Sequence, residues 1–239
     1  MHPQRRLPRT RLRMDGSPTV FEPRSALCAL MATVACASQA AYATPQHAGF
    51  PQRDFAVFLD DRRIGTHRFE FTASPPGDST TVKSAAAFTV KILGIPAYRY
   101  RHQASESWRE GCLDALAAST DDNGRRQHVE ARREGAVLRV TGGTDAQALP
   151  GCVMSYAYWD RRLLSQDRLL NPQTGAYDAV RIEPLGRDPL DLPGRRVAAE
   201  RYRLSSDGLR IDLWYSPEGE WLQLDSTTRD GRRLRYRLQ

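Results

Sequence analysis

The chain has 239 residues, with 35 Lys and Arg against 28 Asp and Glu and a formal net charge of +7. That length holds one domain with a sizeable core and, once a leader is set aside, leaves little for a second. The apolar run from Ala26 to Ala37 is too short to cross a bilayer, which needs ~20 apolar residues.

The N-terminus carries Arg5, Arg6, Arg9, Arg11, Arg13 and Arg24 against only Asp15 and Glu22. An apolar run from Ala26 to Ala37 follows, and Ala41-Tyr42-Ala43 gives the small-x-small pattern of a cleavage site. Residues 1–43 therefore read as a signal peptide cut between Ala43 and Thr44, with Met14 as a more ordinary start, which predicts a periplasmic or secreted protein. Arg5-Arg6 lies too far upstream of the apolar run for a twin-arginine signal. Thr33 stands where a lipobox before Cys36 would have leucine, so a lipid anchor is the minor alternative.

Cleavage removes six of the 35 basic and two of the 28 acidic residues, so 29 against 26 remain, a balance of +3 on 196 residues. Such a balance gives a nucleic-acid partner little support. Cys28 and Cys36 leave with the leader. Cys112 and Cys152 are then most simply a disulfide in an oxidising compartment, closing a loop worth about 4 kcal/mol on chain-entropy grounds. A metal site would need His102 or His128 to join them, and no CxxC or HxxxH spacing supports one. No cofactor is expected.

After a polar linker over 44–53, one β-rich domain is expected over 54–239. Phe55–Leu59 and Ile64–Phe71 flank the charged turn Asp60-Asp61-Arg62-Arg63 as a hairpin, with His67 read as a surface residue. Pro75–Asp78 breaks the chain. Between Thr81 and Leu93 the even positions Val82, Ser84, Ala86, Phe88, Val90 and Ile92 form one buried face of a long strand. Gly94-Ile95-Pro96 turns the chain into a strand that alternates from Tyr98 through His102 toward Glu106 and Trp108. Cys112–Thr120, Gln127–Arg132 and Ala136–Val140 continue the meander around the turn Asp121–Gly124. A loop runs from Thr141 to Pro150.

Tyr156 and Tyr158 are expected to share one face of a strand. Asp160 then serves as the N-cap of a short helix on which Leu163, Leu164, Leu169 and Leu170 share a face, ending at Asn171-Pro172. Five more strands follow: Tyr177–Pro184, Arg195–Leu204, Leu209–Tyr215, Trp221–Thr228 and Arg233–Leu238. The fold class is therefore mainly all-β. A large curved antiparallel sheet forms a barrel or half-barrel, with one short helix after Trp159 as lid or plug.

Arginines alternate along Tyr98–His102, Arg201–Leu204 and Arg233–Leu238. A solvated outer face is the plainer account, and an anionic membrane surface the sharper one. Catalytic motifs are missing: there is no GxSxG, HExxH or phosphate-cradling glycine loop. An apolar or lipid-like small molecule is the expected ligand, lined by Trp108, Tyr156, Tyr158, Trp159, Trp214 and His102.

Phe55–Asp60 with Ile64–His67, Trp108–Leu113, Ala157-Tyr158-Trp159 with Leu169–Gly175, and Ile211–Tyr215 resemble a family of exported bacterial proteins known only as a domain of unknown function. The resemblance spans about Phe55 to Leu238 and implies one exported β-rich domain with both cysteines. It implies no activity and no catalytic residue. A weaker likeness, of pattern alone, is to curved-sheet periplasmic proteins that shield lipid or lipoprotein chains. Three functions follow as expectations: a non-enzymatic binder of an apolar or amphiphilic envelope molecule; an isomerase or hydrolase using His102, Glu106 or Asp212; or an assembly factor offering a sheet edge or its arginine face.

Overall fold

The structure is a computed structural model and describes residues 52–74, 79–143, 146–228 and 231–239. The expected leader, its cut between Ala43 and Thr44, and most of the linker lie outside the described residues.

Period-two alternation generates a meander of eight strands: β1 (Gln52–Leu59), β2 (Arg62–Ser74), β3 (Ser79–Ile92), β4 (Ile95–Arg109), β5 (Cys112–Asp122), β6 (Arg125–Glu134), β7 (Val137–Gly142) and β8 (Gln147–Pro150). Three of its hairpins turn on two residues that both have positive φ: Leu93-Gly94, Glu110-Gly111 and Asn123-Gly124. Such turns match the twist of the flanking strands and so fix the register of β3 to β6. After a non-sheet segment come β9 (Arg168–Leu170), β10 (Tyr177–Ala179), β11 (Arg181–Arg187), β12 (Leu190–Leu192), β13 (Arg195–Val197), β14 (Glu200–Ser206), β15 (Leu209–Tyr215), β16 (Trp221–Thr227) and β17 (Arg233–Leu238).

Thirteen strands form one sheet in the order β11-β14-β15-β16-β17-β1-β2-β3-β4-β5-β6-β7-β8, and every ladder in it is antiparallel. The C-terminal meander thus docks onto the first strand through β17, with Phe55 opposite Leu238 and Val57 opposite Tyr236. Among the described residues no ladder joins β11 to β8, so the sheet curls without closing. Register shifts at Val57/Phe58, Val90/Lys91, Ser107/Trp108, Pro184/Gly186 and Trp214/Tyr215 add local bend and twist.

The curved-sheet reading holds, with local differences. Gln52 and Arg53 belong to β1 rather than the linker. Gln147–Pro150, read as loop, pairs with β7 as β8. The expected strand Arg195–Leu204 is two strands, because Leu190–Leu192 and Arg195–Val197 make a small hairpin of their own. That hairpin carries Leu190, Leu192 and Val197 onto the outer face, where they cover Ala199, Trp214 and Leu222. Most apolar burial is on the inner face, around Trp108, Leu113, Leu138, Trp159, Leu163, Tyr215 and Trp221.

Candidate functional site

The inner face has two ends, and the segment between β8 and β11 fills only one. Its start is fastened to the mouth of β5: Cys152 is bonded to Cys112 with their Cα atoms 5.0 Å apart, and Leu113 N–H donates to the Val153 carbonyl at 2.9 Å. Leu170 N–H donates to the Met154 carbonyl at 2.8 Å and Tyr156 N–H to the Leu170 carbonyl at 3.2 Å, folding the segment back on itself. The expected helix is a single 3-10 turn, Arg161–Ser165, capped by Asp160, whose side chain accepts from Arg162 N–H. Leu163 is the fully buried residue of that turn, whereas Leu169 and Leu170 lie on β9. Trp159 stands edge-on to Trp108 at 5.3 Å and to Phe71 at 5.5 Å, which packs this end solid.

The other end is hollow. Register puts His67, Ala86, His102 and Thr120 in one cross-strand row, and Phe69, Ser84, Ala104 and Ala118 in the next. Ser84, Ala86 and Ala104 are short where the packed end has tryptophan and leucine, and the central segment borders the space they leave through Tyr156, Tyr158 and Trp159. The result is a cavity of about 290 Å³. Its walls are Tyr100 and Tyr236 on one side and Tyr156, Tyr158 and Trp159 on the other, with Asn171, Pro172 and Gln173 at the margin. A wider trough of about 1040 Å³ lies elsewhere, against Arg53, Asp54, Arg68, Arg101 and Glu220. It is an open, charged surface feature, whereas the displaced acid–base groups face the inner cavity.

One carboxyl and two imidazoles line the cavity together with four tyrosines. Glu106 is buried, and its carboxylate accepts from Ser155 Oγ at 2.7 Å and from Trp108 Nε1 at 3.3 Å. Burial pushes its pKa up to about 7 against the pull of those two donors, since no cation compensates the charge among the described residues. Burial drives His102 down to about 4; its Nδ1 shares a hydrogen bond of 2.9 Å with Thr120 Oγ1. His67 is driven down to about 3, by burial first and by repulsion from His102 second. Its ring stacks on Phe69 at 4.2 Å, and both ring nitrogens are buried without a hydrogen-bond partner. An unsatisfied buried imidazole of this kind costs stability and calls for an explanation. Tyr158 and Tyr236 are raised above the usual phenol range, burial being the main cause, and stay neutral.

Of the expected ligand-lining residues, Tyr156, Tyr158, Trp159 and His102 line the cavity. Tyr156 and Tyr158 do so from a bend and a turn rather than from a strand, with their rings 6.1 Å apart. Trp108 stands behind Trp159 as core. Trp214 is on the opposite face of the sheet: it alternates with Leu213 and Tyr215, gives its Nε1–H to Asp188 at 3.0 Å and lies under Arg201. Asp212 also faces outward, where burial raises its pKa but hydrogen bonds from Arg203 and Arg201 outweigh this and hold it low.

His67 is a correction of a different kind: expected as a surface residue of its hairpin, it lines the cavity. Its alternation with Phe69 and Phe71 was the available signal. Tyr100 and Tyr236 were legible only as members of an arginine-rich strand, and Glu106 entered only through the enzyme reading. Among the described residues no group of three or more His, Cys, Asp or Glu is gathered as a metal site.

The family described as Domain of unknown function (DUF6134) matches residues 55–239. The chain belongs to this family. No curated protein matches the sequence. Among solved structures, the chain is similar to a beta-barrel-like protein of Domain of Unknown Function DUF1849 from Brucella abortus, at 12% identity and a TM-score of 0.57, covering 79% of this chain and 94% of that one. At that identity the likeness carries the fold alone. The family and the curled β-sheet that the sequence implied are both borne out.

Proposed function

We propose that this family member is an exported envelope protein that binds a small apolar or amphiphilic molecule in the hollow end of its sheet. The observation that carries the reading is His67: two buried, unpartnered ring nitrogens at the edge of an aromatic-walled cavity. A ligand bearing an uncharged hydroxyl, amide or carbonyl group would satisfy one of them, a carbonyl only the one that carries the proton, while its apolar body lies against Tyr158, Trp159 and Tyr236. The volume of about 290 Å³ is at the lower limit of ordinary ligand pockets, ~300–1,000 Å³. It favours a single-chain or ring compound over a two-chain lipid. The disulfide and the leader pattern support export.

Glu106 supports a second reading, an isomerase or hydrolase. A carboxyl with a pKa near 7 in a cavity has the proton affinity of a general acid or base. Its two hydrogen bonds point instead to a structural role as acceptor for Ser155 and Trp108, so binding is preferred.

Native mass spectrometry of the protein taken from cell envelopes tests the binding claim. The expected result is a bound small molecule on the wild type that is lost from Ala86→Phe and Ala104→Phe. A wild type free of adducts, or an adduct that survives both substitutions, would overturn it.

A further inference from the structure

The hairpin of β3 and β4 outruns its neighbours. Pairing of β3 with β2 stops at Phe88–Gly65, and pairing of β4 with β5 stops at Tyr100–Asp122, with one last bond from Asn123 N–H to the Arg99 carbonyl at 2.8 Å. The two strands continue alone through Thr89–Arg99, Val90–Tyr98, Lys91–Pro96 and Ile92–Ile95. Four residues at a strand rise of ~3.3 Å project the tip by about 13 Å.

What the tip carries runs against the rules for a solvated turn. Leu93 is 97% exposed, Ile95 70% and Ile92 63%, the three most exposed large apolar side chains among the described residues. Leu93 also has φ +51°, a conformation in which asparagine, aspartate or glycine is the low-strain choice. Neither folding nor solubility accounts for a branched aliphatic residue there, and local rules broken in this way mark functional positions.

Charge indicates the partner. Lys91, Arg99 and Arg101 lie on odd positions of β3 and β4 at and below the tip, are exposed, and make no ion pair among the described residues. The nearby carboxylates are engaged: Asp122 accepts from Tyr98 OH at 2.7 Å, and Asp121 accepts from Gly124 N–H at 2.8 Å and faces Arg126 at 3.5 Å. On the two other strands with alternating arginines some of the cations are paired: Arg201 and Arg203 bind Asp212, and Arg235 lies beside Asp225. An aliphatic point with unpaired cations behind it matches a bilayer surface, with acyl chains beneath anionic headgroups. The tip is also too narrow and convex for a protein–protein patch of ~800 Å² per partner.

We propose that the β3–β4 hairpin is a membrane-docking finger: Ile92, Leu93 and Ile95 enter the outer part of a lipid monolayer while Lys91, Arg99 and Arg101 engage anionic headgroups. Phe88 and Tyr100, stacked at the root of the finger at 5.2 Å, put the cavity wall next to the docked surface. The docking itself is independent of what the cavity holds.

Co-sedimentation of the full chain with phosphatidylcholine vesicles, with and without phosphatidylglycerol, tests this. The wild type is expected to bind vesicles containing phosphatidylglycerol, and combined Ile92→Ser, Leu93→Ser and Ile95→Ser to weaken binding at least tenfold without lowering the thermal midpoint. Combined Lys91→Gln, Arg99→Gln and Arg101→Gln should remove the preference for phosphatidylglycerol. Leu93→Gly supplies a readout that a purely structural turn would not: it relaxes the backbone, so the thermal midpoint should rise while vesicle binding falls. Equal binding by wild type and the serine variant would overturn the proposal. So would a concentration-dependent dimer in sedimentation that the same serine changes abolish, which would assign the tip to a second copy of the chain.

Discussion

The two ends of the inner face use the same strands and the same alternation, yet one is solid and the other hollow. At the solid end β4 and β5 contribute Trp108, Leu113 and Leu116, and the disulfide-anchored segment lays Trp159 and Leu163 on top of them. At the hollow end β3 and β4 contribute Ser84, Ala86 and Ala104, and the facing tyrosines are held back from them. Side-chain size along single strands therefore decides where the cavity lies, while the curvature decides only that there is an inside. The unpaired polar groups follow the same division. Glu106 lies at the boundary with two donors, while in the row beyond it His102 has one partner and His67 none.

The sharpest way to break this comparison is to empty the solid end. Trp159→Ala should cost about 3–5 kcal/mol in denaturant unfolding, the range for a large aromatic lost from a packed core. Replacing both Cys112 and Cys152 by Ala should cost about 4 kcal/mol on the chain-entropy estimate for a loop of this length, and should loosen the central segment at its start. A loss below 1 kcal/mol from Trp159→Ala would mean that this end is not packed.

Glu106→Gln sharpens the boundary. Because the folded-state pKa lies near 7 and the unfolded value near 4.5, the folded protein holds a proton across that window that the unfolded chain has released. Wild-type stability should therefore fall as pH rises from about 4.5 to about 7, and the variant should lack this contribution. The stability of the variant relative to wild type should rise by about 3 kcal/mol between pH 4 and pH 8. Taking the difference cancels the two histidines, whose lowered pKa values act the other way, with stability present above about 6.5 and lost as pH falls toward 4 and 3. A flat difference across pH would place Glu106 in contact with solvent or a cation.

The smallest expected effect is at the hollow end. Ala86→Leu adds bulk to space already available, so stability should change by less than about 1 kcal/mol. A penalty of several kcal/mol would show that the space is not free.

Much of this was legible in the residues. The even positions of β3 from Val82 to Phe88 and the run from Tyr100 to Trp108 declared their inner faces by alternation alone, whereas Ile92, expected on that buried face, is 63% exposed because β3 outruns its neighbours there; the cysteine pair followed from the expectation of an oxidising compartment. Whether a strand has one buried face or two was not legible. Trp214 looked like a cavity residue because nothing in β15 announces that the Leu190–Val197 hairpin covers its outer side. The cavity itself depends on register, since Ser84, Ala86 and Ala104 make a hollow only because they come side by side across β3 and β4. His67 was missed by reading it as a surface residue of its hairpin, although counting back by twos from Phe71 and Phe69 points it inward.

The most direct test of the hollow end is methyl NMR on alanine-labelled protein during titration with a single-chain alcohol such as decan-1-ol. Saturable shifts confined to the Ala86 and Ala104 methyls, with Ala118 and Ala131 unmoved, are the predicted result. Unmoved Ala86 and Ala104 methyls at saturating alcohol, or equal shifts across all four, would contradict it.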